Sequence, residues 1–458
     1  MIEVQVAGAG AGKTHGLSKK VAERLQKLEI PKKIFALTYT NKAKEKIETE
    51  LLKQIGYEPE NIYIETVHSF FLNEIIFPFS GYILGDIYRK ASILYLGNKV
   101  RYKASKIKAL KDKGEIHVEK VYSVAKQIID KQNPKNISKA NKTRVDRVLA
   151  ILTECIDSIF VDEVQDLDSD ALRVFEILGS NAILVYMIGD PKQAIKWSHD
   201  FNNFIKKHKC DKSEHFTFLK VNNLTRRVPN EILFLSNRFC YEDQQQQSLS
   251  EITGSVSYIE SNHDEFDRIL QMHINSDSIV CIDKKQGKYL TGDSYKYCFP
   301  ASIEEKIIEA EPIKDKKLIV KAAFNEFISD AHKRQKQAVN KFVKRFGIKL
   351  DKKEFAQMYE LCETQKNTIA QYKISSIDAV KGIEADCCVI VLTPNTYKYL
   401  IQKDIDENHR FNKEWNKLYV ALTRSMRELI IVVDHSLFKE ESLIEVRRSI
   451  EGLGVKRF

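Results

Sequence analysis

One short stretch, AGAGAGKT at residues 7–14, constrains the fold of this chain more than any other. It follows IEVQV, whose alternating apolar residues predict a strand, and it leads into apolar residues at helical spacing. A glycine-rich turn between a strand and a helix is typical of a phosphate-binding loop, although Ala7 replaces the first glycine of the usual pattern GxxxxGKT. The sequence therefore predicts a nucleotide site built on this turn.

The residue types of the loop suit phosphate chemistry. Backbone N–H groups would cradle the phosphates, and the ammonium group of Lys13 would pair with the β- and γ-phosphate oxygens. The Thr14 hydroxyl would bind Mg²⁺. The residues whose backbone would line the phosphates are Gly8, Ala9, Gly10, Ala11 and Gly12.

A second motif, IFVDEVQD, ends an apolar strand with two acids. Open α/β sheets build their sites at the carboxyl ends of parallel strands. Asp162 would hold Mg²⁺, directly or through water, and Glu163 would orient and deprotonate an attacking water. Alone, this pattern fits an ordinary strand that ends in an acidic turn as well; beside Lys13 and Thr14 it indicates nucleotide hydrolysis.

Strands and helices alternate along the chain, which predicts an α/β protein with doubly wound parallel sheets. The alternation stops over a mostly helical stretch from about 70 to 150, resumes at SIFVDEVQD, and begins a second series with FLKV at residue 218. We expect two sheet domains, each interrupted by a small helical insert. The predicted boundaries are 1–70 and 148–217 for the first sheet domain, 71–147 for its basic insert, 218–284 and 372–458 for the second sheet domain, and 285–371 for its reduced insert.

Positive charge is concentrated in the two predicted inserts. Residues 81–150 carry 17 Lys/Arg against 6 Asp/Glu, and residues 313–350 carry 11 against 3. Each run alone fits a solvated helix face, but two such blocks in one nucleotide-using chain favour a polyanionic partner. With Glu3 at the start and no apolar run of about 18 residues, we expect a cytoplasmic protein with no membrane partner. The eight cysteines lack a CxxC spacing, which favours buried thiols in a reducing compartment.

Six further segments resemble, in order, the motifs of UvrD-like superfamily 1 DNA helicases: TYTNKA (38–43), TVHSF (66–70), DEVQD (162–166), GDPKQAI (189–195), VKGIE (380–384) and LYVALTR (418–424). With the phosphate loop, they span residues 7–424. The resemblance implies two RecA-like domains with ATP and Mg²⁺ in the cleft between them, and movement along single-stranded or 3′-tailed DNA in the 3′ to 5′ direction.

The resemblance also assigns roles to single residues. Gln193 corresponds to the glutamine that senses the γ-phosphate and the attacking water. Arg227 and Arg424 correspond to two arginines that the second domain supplies to the phosphates, where they would stabilise the charge of the transferring group. Glu384 resembles the glutamate that contacts the ribose.

The predicted DNA-binding residues follow strands of the first domain. Hydroxyl, amide and ammonium groups would bind backbone phosphates, and aromatic rings would stack on bases. Trp197 fits a core residue as well, because the family reads QxIYxF or QxIYxW where this chain reads QAIKWSHDF, with Lys196 at the tyrosine position. The residues are Thr38, Tyr39, Thr40, Asn41, Lys42, His68, Ser69 and Trp197.

Other departures concern the base pocket and the size of the chain. His15 stands where arginine is common, Arg226 stands where a stacking tyrosine is common, and no glutamine segment precedes the loop. We therefore expect weak selectivity for the base, with GTP also hydrolysed. The short second insert predicts poor duplex unwinding by the protein alone, and the short stretch after Arg424 leaves no room for a nuclease domain.

Three functions stay open from the sequence. The first is an ATP-driven single-stranded DNA translocase or helicase. The second is a DNA- or nucleotide-sensing ATPase that regulates a separately encoded nuclease, because small UvrD-like proteins of this build resemble the helicase partners in phage-defence systems such as Gabija. The third is an NTPase that acts on RNA, since basic helices do not distinguish the two nucleic acids.

Overall fold

The computed structural model describes residues 1–94, 96, 100–136, 138–211, 213–291, 299–310, 316–331, 335–366, 372–403, 405–406 and 409–458. Parts of the predicted inserts and basic blocks lie outside these ranges. The strands are β1 (Ile2–Val6), β2 (Lys33–Thr38), β3 (Ile62–Thr66), β4 (Lys90–Ser92), β5 (Glu115–His117), β6 (Ile156–Val161), β7 (Leu184–Gly189), β8 (Phe216–Phe218), β9 (Leu224–Thr225), β10 (Gln247–Ser248), β11 (Ser255–Glu260), β12 (Ile279–Ile282), β13 (Tyr289–Thr291), β14 (Tyr372–Ser376), β15 (Ala385–Leu392), β16 (Ser425–Val433) and β17 (Lys456–Arg457).

Helices cover both faces of the sheets and fill the inserts. They are α1 (Lys13–Leu25), α2 (Asn41–Ile55), α3 (Val67–Phe70), α4 (Phe77–Leu84), α5 (Val100–Asp112), α6 (Val121–Ile129), α7 (Lys139–Cys155), α8 (Ser169–Ser180), α9 (Asp200–Cys210), α10 (Asn230–Asn237), α11 (Phe266–Ile274), α12 (Ala301–Ala310), α13 (Lys316–Ala331), α14 (Gln335–Phe346), α15 (Lys352–Lys366), α16 (Pro394–Ile401), α17 (Lys413–Leu422) and α18 (Leu443–Gly452). A π-helical turn, Phe71–Ile76, joins α3 to α4.

The first sheet is parallel and has the strand order β3-β2-β6-β7-β1-β8. Strands β1, β6 and β7 are therefore neighbours or next neighbours, so the residues that follow them meet at one edge. Strand β8 pairs with β1, whereas the sequence predicts that the second series begins with FLKV at 218. Phe216 and Phe218 pack against the first core, which explains why this edge strand joins the first sheet.

The second sheet is also parallel, with the order β13-β14-β12-β15-β16-β11-β17. Its strand β13 lies inside the range that the sequence assigns to the second insert. The Tyr289 hydroxyl donates to Asp434 Oδ2 at 2.6 Å, and the Tyr289 ring stacks on Tyr372 of β14. These long-range contacts hold β13 in the sheet. Two parallel sheets of six and seven strands form the α/β architecture expected of two RecA-like domains.

The two inserts are built differently. The first contains a short parallel pair, β4 and β5, among its helices, and its apolar residues Tyr122 and Ile128 share one core with Phe35 of the first sheet. In the second insert, α12 to α15 enclose an apolar cluster of their own. Within the described ranges, every helix is too short or too polar to cross a bilayer.

The cysteines only partly follow expectation. Cys281, Cys387 and Cys388 are buried free thiols in the second sheet, whereas Cys155 and Cys210 are exposed at the ends of α7 and α9. Each of these two cysteines is the last residue of its helix, where the chain turns away from the core. Its exposure therefore does not follow from the apolar residues before it.

Candidate active site

The phosphate loop connects β1 to α1 at the carboxyl edge of the first sheet. Gly10 and Gly12 have φ of 70° and 71°, a left-handed conformation that favours glycine. A Cβ on Gly10 would lie 2.4 Å from Thr225 Oγ1, so the loop also lies close to the segment that leads into the second sheet. Glycine at position 10 is therefore required both for the left-handed turn and for the close approach of Thr225.

Hydrogen bonds fix the outside of the loop and leave its inner N–H groups free. The Ala7 N–H donates to Gly189 O at 3.0 Å, the Gly8 N–H donates to Asn222 O at 3.1 Å, and Asn222 Nδ2 donates to Ala11 O at 2.9 Å. Within the described part of the chain, no acceptor faces the N–H groups of Gly10, Gly12, Lys13 and Thr14. Such a set of unpaired donors at a helix N-terminus fits a phosphate.

Asp162 lies at the end of β6, directly opposite the loop. It is buried, its Oδ2 accepts a hydrogen bond from Thr14 Oγ1 at 3.0 Å, and its Oδ1 accepts one from the Glu163 N–H at 2.8 Å. Burial and the neighbouring Glu163 carboxylate raise the pKa of Asp162 to about 6. Carboxylate and hydroxyl oxygens are the ligands that Mg²⁺ takes beside substrate phosphates, so this pair fits the ion.

Glu163 is held in an uncommon conformation beside Asp162. Its φ of 53° is left-handed, a strained state for a residue other than glycine and one that often marks functional sites. Gln165 Nε2 donates to its carboxylate. Burial opposes ionisation, but Lys13 and Lys381 outweigh it and hold the pKa of Glu163 below its usual range. The carboxylate is therefore ionised at neutral pH, as a general base requires.

The end of β7 brings the GDPKQAI motif to the same edge. Asp190 is fully buried and pairs with Lys192 Nζ at 2.9 Å. Gln193 Nε2 donates to Asp190 Oδ2 at 3.0 Å, and Gln165 Oε1 accepts from the Asp190 N–H at 2.9 Å. Gln165 thus joins Glu163 on one strand end to Asp190 on the next.

Arg424 reaches this edge from the second sheet. It follows α17, is buried, and its Nη2 lies 3.5 Å from Gln193 Oε1. Its other donors bond Val420 O at 2.9 Å and Ile383 O at 3.3 Å. Burial, with the nearby Arg227 cation, lowers its pKa to about 10, so it stays charged at neutral pH. A fixed cation from the second sheet therefore faces the hydrolytic groups of the first.

The residues predicted for ribose and base are less enclosed. Arg227 and Glu384 form an ion pair with each other. His15 Nδ1 lies 3.2 Å from Glu50 Oε2 on α2, and two thirds of its side chain is exposed. Arg226 is exposed, although its N–H donates to Gly10 O at 3.4 Å. Within the described ranges, these groups lie around the mouth of the loop, and His15 and Arg226 are open to solvent.

Four aromatic residues and one lysine form what we call the aromatic track: Tyr39, His68, Tyr122, Lys196 and Trp197. Lys196 Nζ donates to the Tyr39 hydroxyl at 3.1 Å and lies 5.4 Å from the Trp197 ring centroid. The His68 ring packs against Tyr122 with centroids 4.5 Å apart and planes tilted by 34°, and its Nδ1 shares a 3.2 Å hydrogen bond with the Tyr122 hydroxyl. Burial and the Lys196 charge lower the pKa of His68 to about 4, so this ring is neutral at neutral pH.

The other predicted DNA contacts have mixed surroundings. Asn41 and Lys42 are exposed at the start of α2, where Thr40 Oγ1 caps the helix by accepting from the Ala43 N–H at 3.2 Å. The Ser69 N–H donates to Thr66 Oγ1 at 3.2 Å. Thr38 is fully buried, and its Oγ1 has no hydrogen-bond partner within the described structure. Trp197 is half-buried, so it is neither a core residue nor a free surface ring.

Known proteins match this chain over most of its length. The AAA domain family matches residues 2–199. Gabija protein GajB of Bacillus cereus (strain VD045) is 24% identical over an alignment of 494 residues. The alignment covers 95% of this chain and 93% of that protein. The ATP-dependent DNA helicase PcrA of Staphylococcus aureus (strain Mu50 / ATCC 700699) is 24% identical over 256 residues. The chain is therefore similar to UvrD-like helicases.

The match to PcrA spans 47% of this chain and only 35% of PcrA. Among solved structures, the Arterivirus nonstructural protein 10 helicase with DNA is 12% identical, and the alignment covers 96% of this chain and 61% of that one. Its TM-score is 0.37, which is too low to bear on the fold.

Several groups in this site were not predicted from the sequence. They are Gln165, Asp190 and Lys192 within known motifs, Tyr419 within LYVALTR, and Gln246 within the run QQQQ. The motif positions carried a signal, because a buried polar residue beside a catalytic one needs a partner. Gln246 carried none, since it has three identical neighbours.

Proposed function

We propose that this protein is an ATP-driven single-stranded DNA translocase, a DNA helicase that hydrolyses ATP between two RecA-like domains formed by the two sheets. The observation that carries the proposal is the buried contact between Arg424 and Gln193, 3.5 Å across the two sheets. A simple phosphate-binding protein does not need a cation supplied by a second domain. It suits a site that assembles from two domains.

The side chains divide the hydrolysis among them. The free N–H groups of the loop and Lys13 would bind and orient the phosphates of ATP. Glu163 would take the proton of the attacking water, which Gln193 would help to place. Arg424 and Arg227 would stabilise the charge on the transferring phosphoryl group, an effect of about 10³–10⁵ in rate in related enzymes. Asp162 and Thr14 would hold Mg²⁺, which neutralises phosphate charge when it is bound.

The two arginines would couple hydrolysis to movement. They belong to the second RecA-like domain, so they reach the phosphates only while the cleft is closed. In the structure, Arg227 forms an ion pair with Glu384. A bound nucleotide would compete with this ion pair for both side chains. After product release, opening of the cleft would separate the domains and shift the protein along the DNA strand.

We further propose that the DNA strand runs over the aromatic track, with Thr40, Asn41, Lys42 and Ser69 near its phosphates. Thr38 is fully buried and does not reach the strand. Bases would stack on Tyr39 and Trp197, and Lys196 would add a charge between them. The 3′ to 5′ polarity, the domain boundaries, the poor unwinding without a partner and the cytoplasmic location stay predictions from the sequence.

Steady-state ATP hydrolysis tests this function. Wild-type protein, Lys13→Ala and Glu163→Gln are each assayed with single-stranded DNA, duplex DNA, single-stranded RNA and no nucleic acid. We expect strong stimulation by single-stranded DNA in the wild type and loss of turnover in both variants. Equal rates with and without DNA would exclude a motor, and greater stimulation by RNA would favour the RNA-acting alternative.

A second candidate function is regulation of a separately encoded nuclease in a defence system. The match to Gabija protein GajB favours it, because it covers 95% of this chain rather than the nucleotide-binding part alone. Affinity purification of the chain expressed with its neighbouring genes tests this. A nuclease that co-purifies, and whose DNA cleavage changes in the Glu163→Gln variant, would support it; ATPase activity unaffected by any such partner would argue against it.

A further inference from the structure

The hydroxyl group of Tyr419 lies where the phosphate loop and both sheets meet. It is 3.1 Å from Asp190 Oδ2, 3.0 Å from Gln246 Oε1, and it accepts a 3.5 Å hydrogen bond from the Ala9 N–H. All three polar side chains are buried. The nucleotide chemistry described above uses neither Tyr419 nor Gln246.

The proton count at this hydroxyl does not match its acceptors. A phenol has one O–H, and two acceptor oxygens face it, so it donates to Asp190 or to Gln246 but not to both. Burial and the Asp190 carboxylate hold the pKa of Tyr419 well above its usual range, so the proton stays on the phenol. The acceptor that is left out then faces an oxygen lone pair in a buried place, which is unfavourable. The Tyr419 hydroxyl therefore has two discrete hydrogen-bonding arrangements, one in which it donates to Asp190 and one in which it donates to Gln246.

Gln246 connects one arrangement to the phosphate loop. Its Nε2 donates to Ala9 O at 2.8 Å, and its backbone is fixed by two hydrogen bonds to the side chain of Asn237 at 2.8 and 2.9 Å. A Cβ on Gly8 would lie 2.4 Å from Gln246 Cδ, so the carboxamide rests directly on the loop. When Tyr419 donates to Gln246, the carboxamide is held in place against the loop.

Asp190 connects the other arrangement to the γ-phosphate sensor. Its Oδ2 lies 3.1 Å from the Tyr419 hydroxyl and accepts a hydrogen bond from Gln193 Nε2 at 3.0 Å. If Gln193 turns toward a nucleotide, this buried oxygen loses a donor. The Tyr419 proton can replace it only by leaving Gln246.

We propose that Tyr419 is a positioning residue whose single hydroxyl proton moves from Gln246 to Asp190 when nucleotide binds, and that Gln246 thereby releases the phosphate loop. The inference rests on the proposed function, because it takes Gln193 to be the residue that turns toward the nucleotide. In the empty site, Gln246 clamps the loop. In the occupied site, Asp190 holds the proton and the loop is free to close on phosphate.

Measurements of nucleotide binding and of turnover distinguish the role of the Gln246 contact from that of the Asp190 contact. Gln246→Met keeps the side-chain length and removes the clamp, so we expect the Kd for a fluorescent ADP analogue to fall about two- to tenfold, the worth of one neutral hydrogen bond, and kcat to fall less than in Tyr419→Phe. Tyr419→Phe removes the clamp and also the donor that replaces Gln193, so Kd falls similarly and kcat with single-stranded DNA falls at least about tenfold. Gln245→Met is the matched control, because Gln245 is exposed in the same run. It should change neither quantity.

Amide hydrogen exchange of residues 7–12 without nucleotide gives a readout that needs no enzymatic activity. Exchange should be faster in Gln246→Met and Tyr419→Phe than in wild type and Gln245→Met. Weaker nucleotide binding in Gln246→Met, or exchange and kcat in Tyr419→Phe equal to wild type, would overturn the inference. If the wild type shows no DNA-stimulated hydrolysis, the proposed function fails, while the exchange data still decide whether Gln246 clamps the loop.

Discussion

The nucleotide side and the aromatic track of this protein follow different physical rules. On the nucleotide side, Asp162, Asp190 and Arg424 are buried, and each has at least two partners within hydrogen-bonding distance. On the track, Trp197 and Tyr39 are only partly buried, and Lys196 is exposed. A buried polar group that loses its partner is strongly destabilised, whereas an exposed one turns to water.

This difference explains where the chain departs from the helicase motifs that it resembles. Apart from Ala7, the loop keeps the residue types of its motif, and so do Asp162, Glu163, Gln193 and Arg424, because a change in one leaves the others unpaired. Lys196 stands where the motif has an aromatic residue. Its ammonium group contacts the rings of Tyr39 and Trp197 and donates to the Tyr39 hydroxyl. We expect large, all-or-none effects on the nucleotide side and graded effects on the track.

The largest effect is expected at Arg424. Arg424→Ala should lower kcat for DNA-stimulated ATP hydrolysis by about 10³-fold or more, since it removes the fixed cation beside Gln193. ADP affinity should change little, because the loop and Lys13 remain. Single-turnover hydrolysis measures the chemical step. Arg427→Ala, an exposed arginine on β16, is the control and should leave the rate unchanged; a loss below about tenfold in Arg424→Ala would mean that the cation is structural.

A smaller effect is expected at Tyr39. Tyr39→Ala should weaken binding of single-stranded DNA by about 1–3 kcal/mol, the usual contribution of one stacked base. Fluorescence anisotropy with a labelled oligonucleotide gives the Kd. Tyr63→Ala removes an exposed tyrosine from the neighbouring strand β3, and should not alter binding. Equal losses in the two variants would show that the track does not carry the strand.

The base end of the nucleotide side is exposed, so it should behave like the track. His15 contacts Glu50 at the surface, and Arg226 is exposed. We expect kcat/KM for ATP and GTP, measured with single-stranded DNA, to differ by less than about tenfold. A preference above about a hundredfold, or ~2.7 kcal/mol, would show that a closed base pocket forms when nucleotide binds.

Sequence reasoning succeeded where structure is local. The strand, the glycine-rich turn and the helix of residues 2–25 are neighbours in the chain, and the acids after β6 follow from the rule that sites form at carboxyl ends of strands. It did not find the pairing of β8 with β1 or of β13 with β14, because strand pairing depends on residues far apart. The roles of the four consecutive glutamines were equally hidden: Gln244 and Gln246 are buried and Gln245 and Gln247 are exposed, an alternation that only the finished fold imposes.

The smallest expected effect tests the substituted position on the track. Lys196→Ala should reduce the slope of log Kd against log salt for single-stranded DNA by about 0.7, the value for one lost phosphate contact. Lys196→Tyr restores the family residue; it should reduce the slope equally but keep or improve affinity, because a ring replaces the charge. Lys209→Ala, which removes a lysine that lies over Phe218 in a similar ring contact, should not change the slope. If Lys196→Ala leaves the slope unchanged, the ammonium group only holds Tyr39 and Trp197 in place, and the track recognises bases by stacking alone.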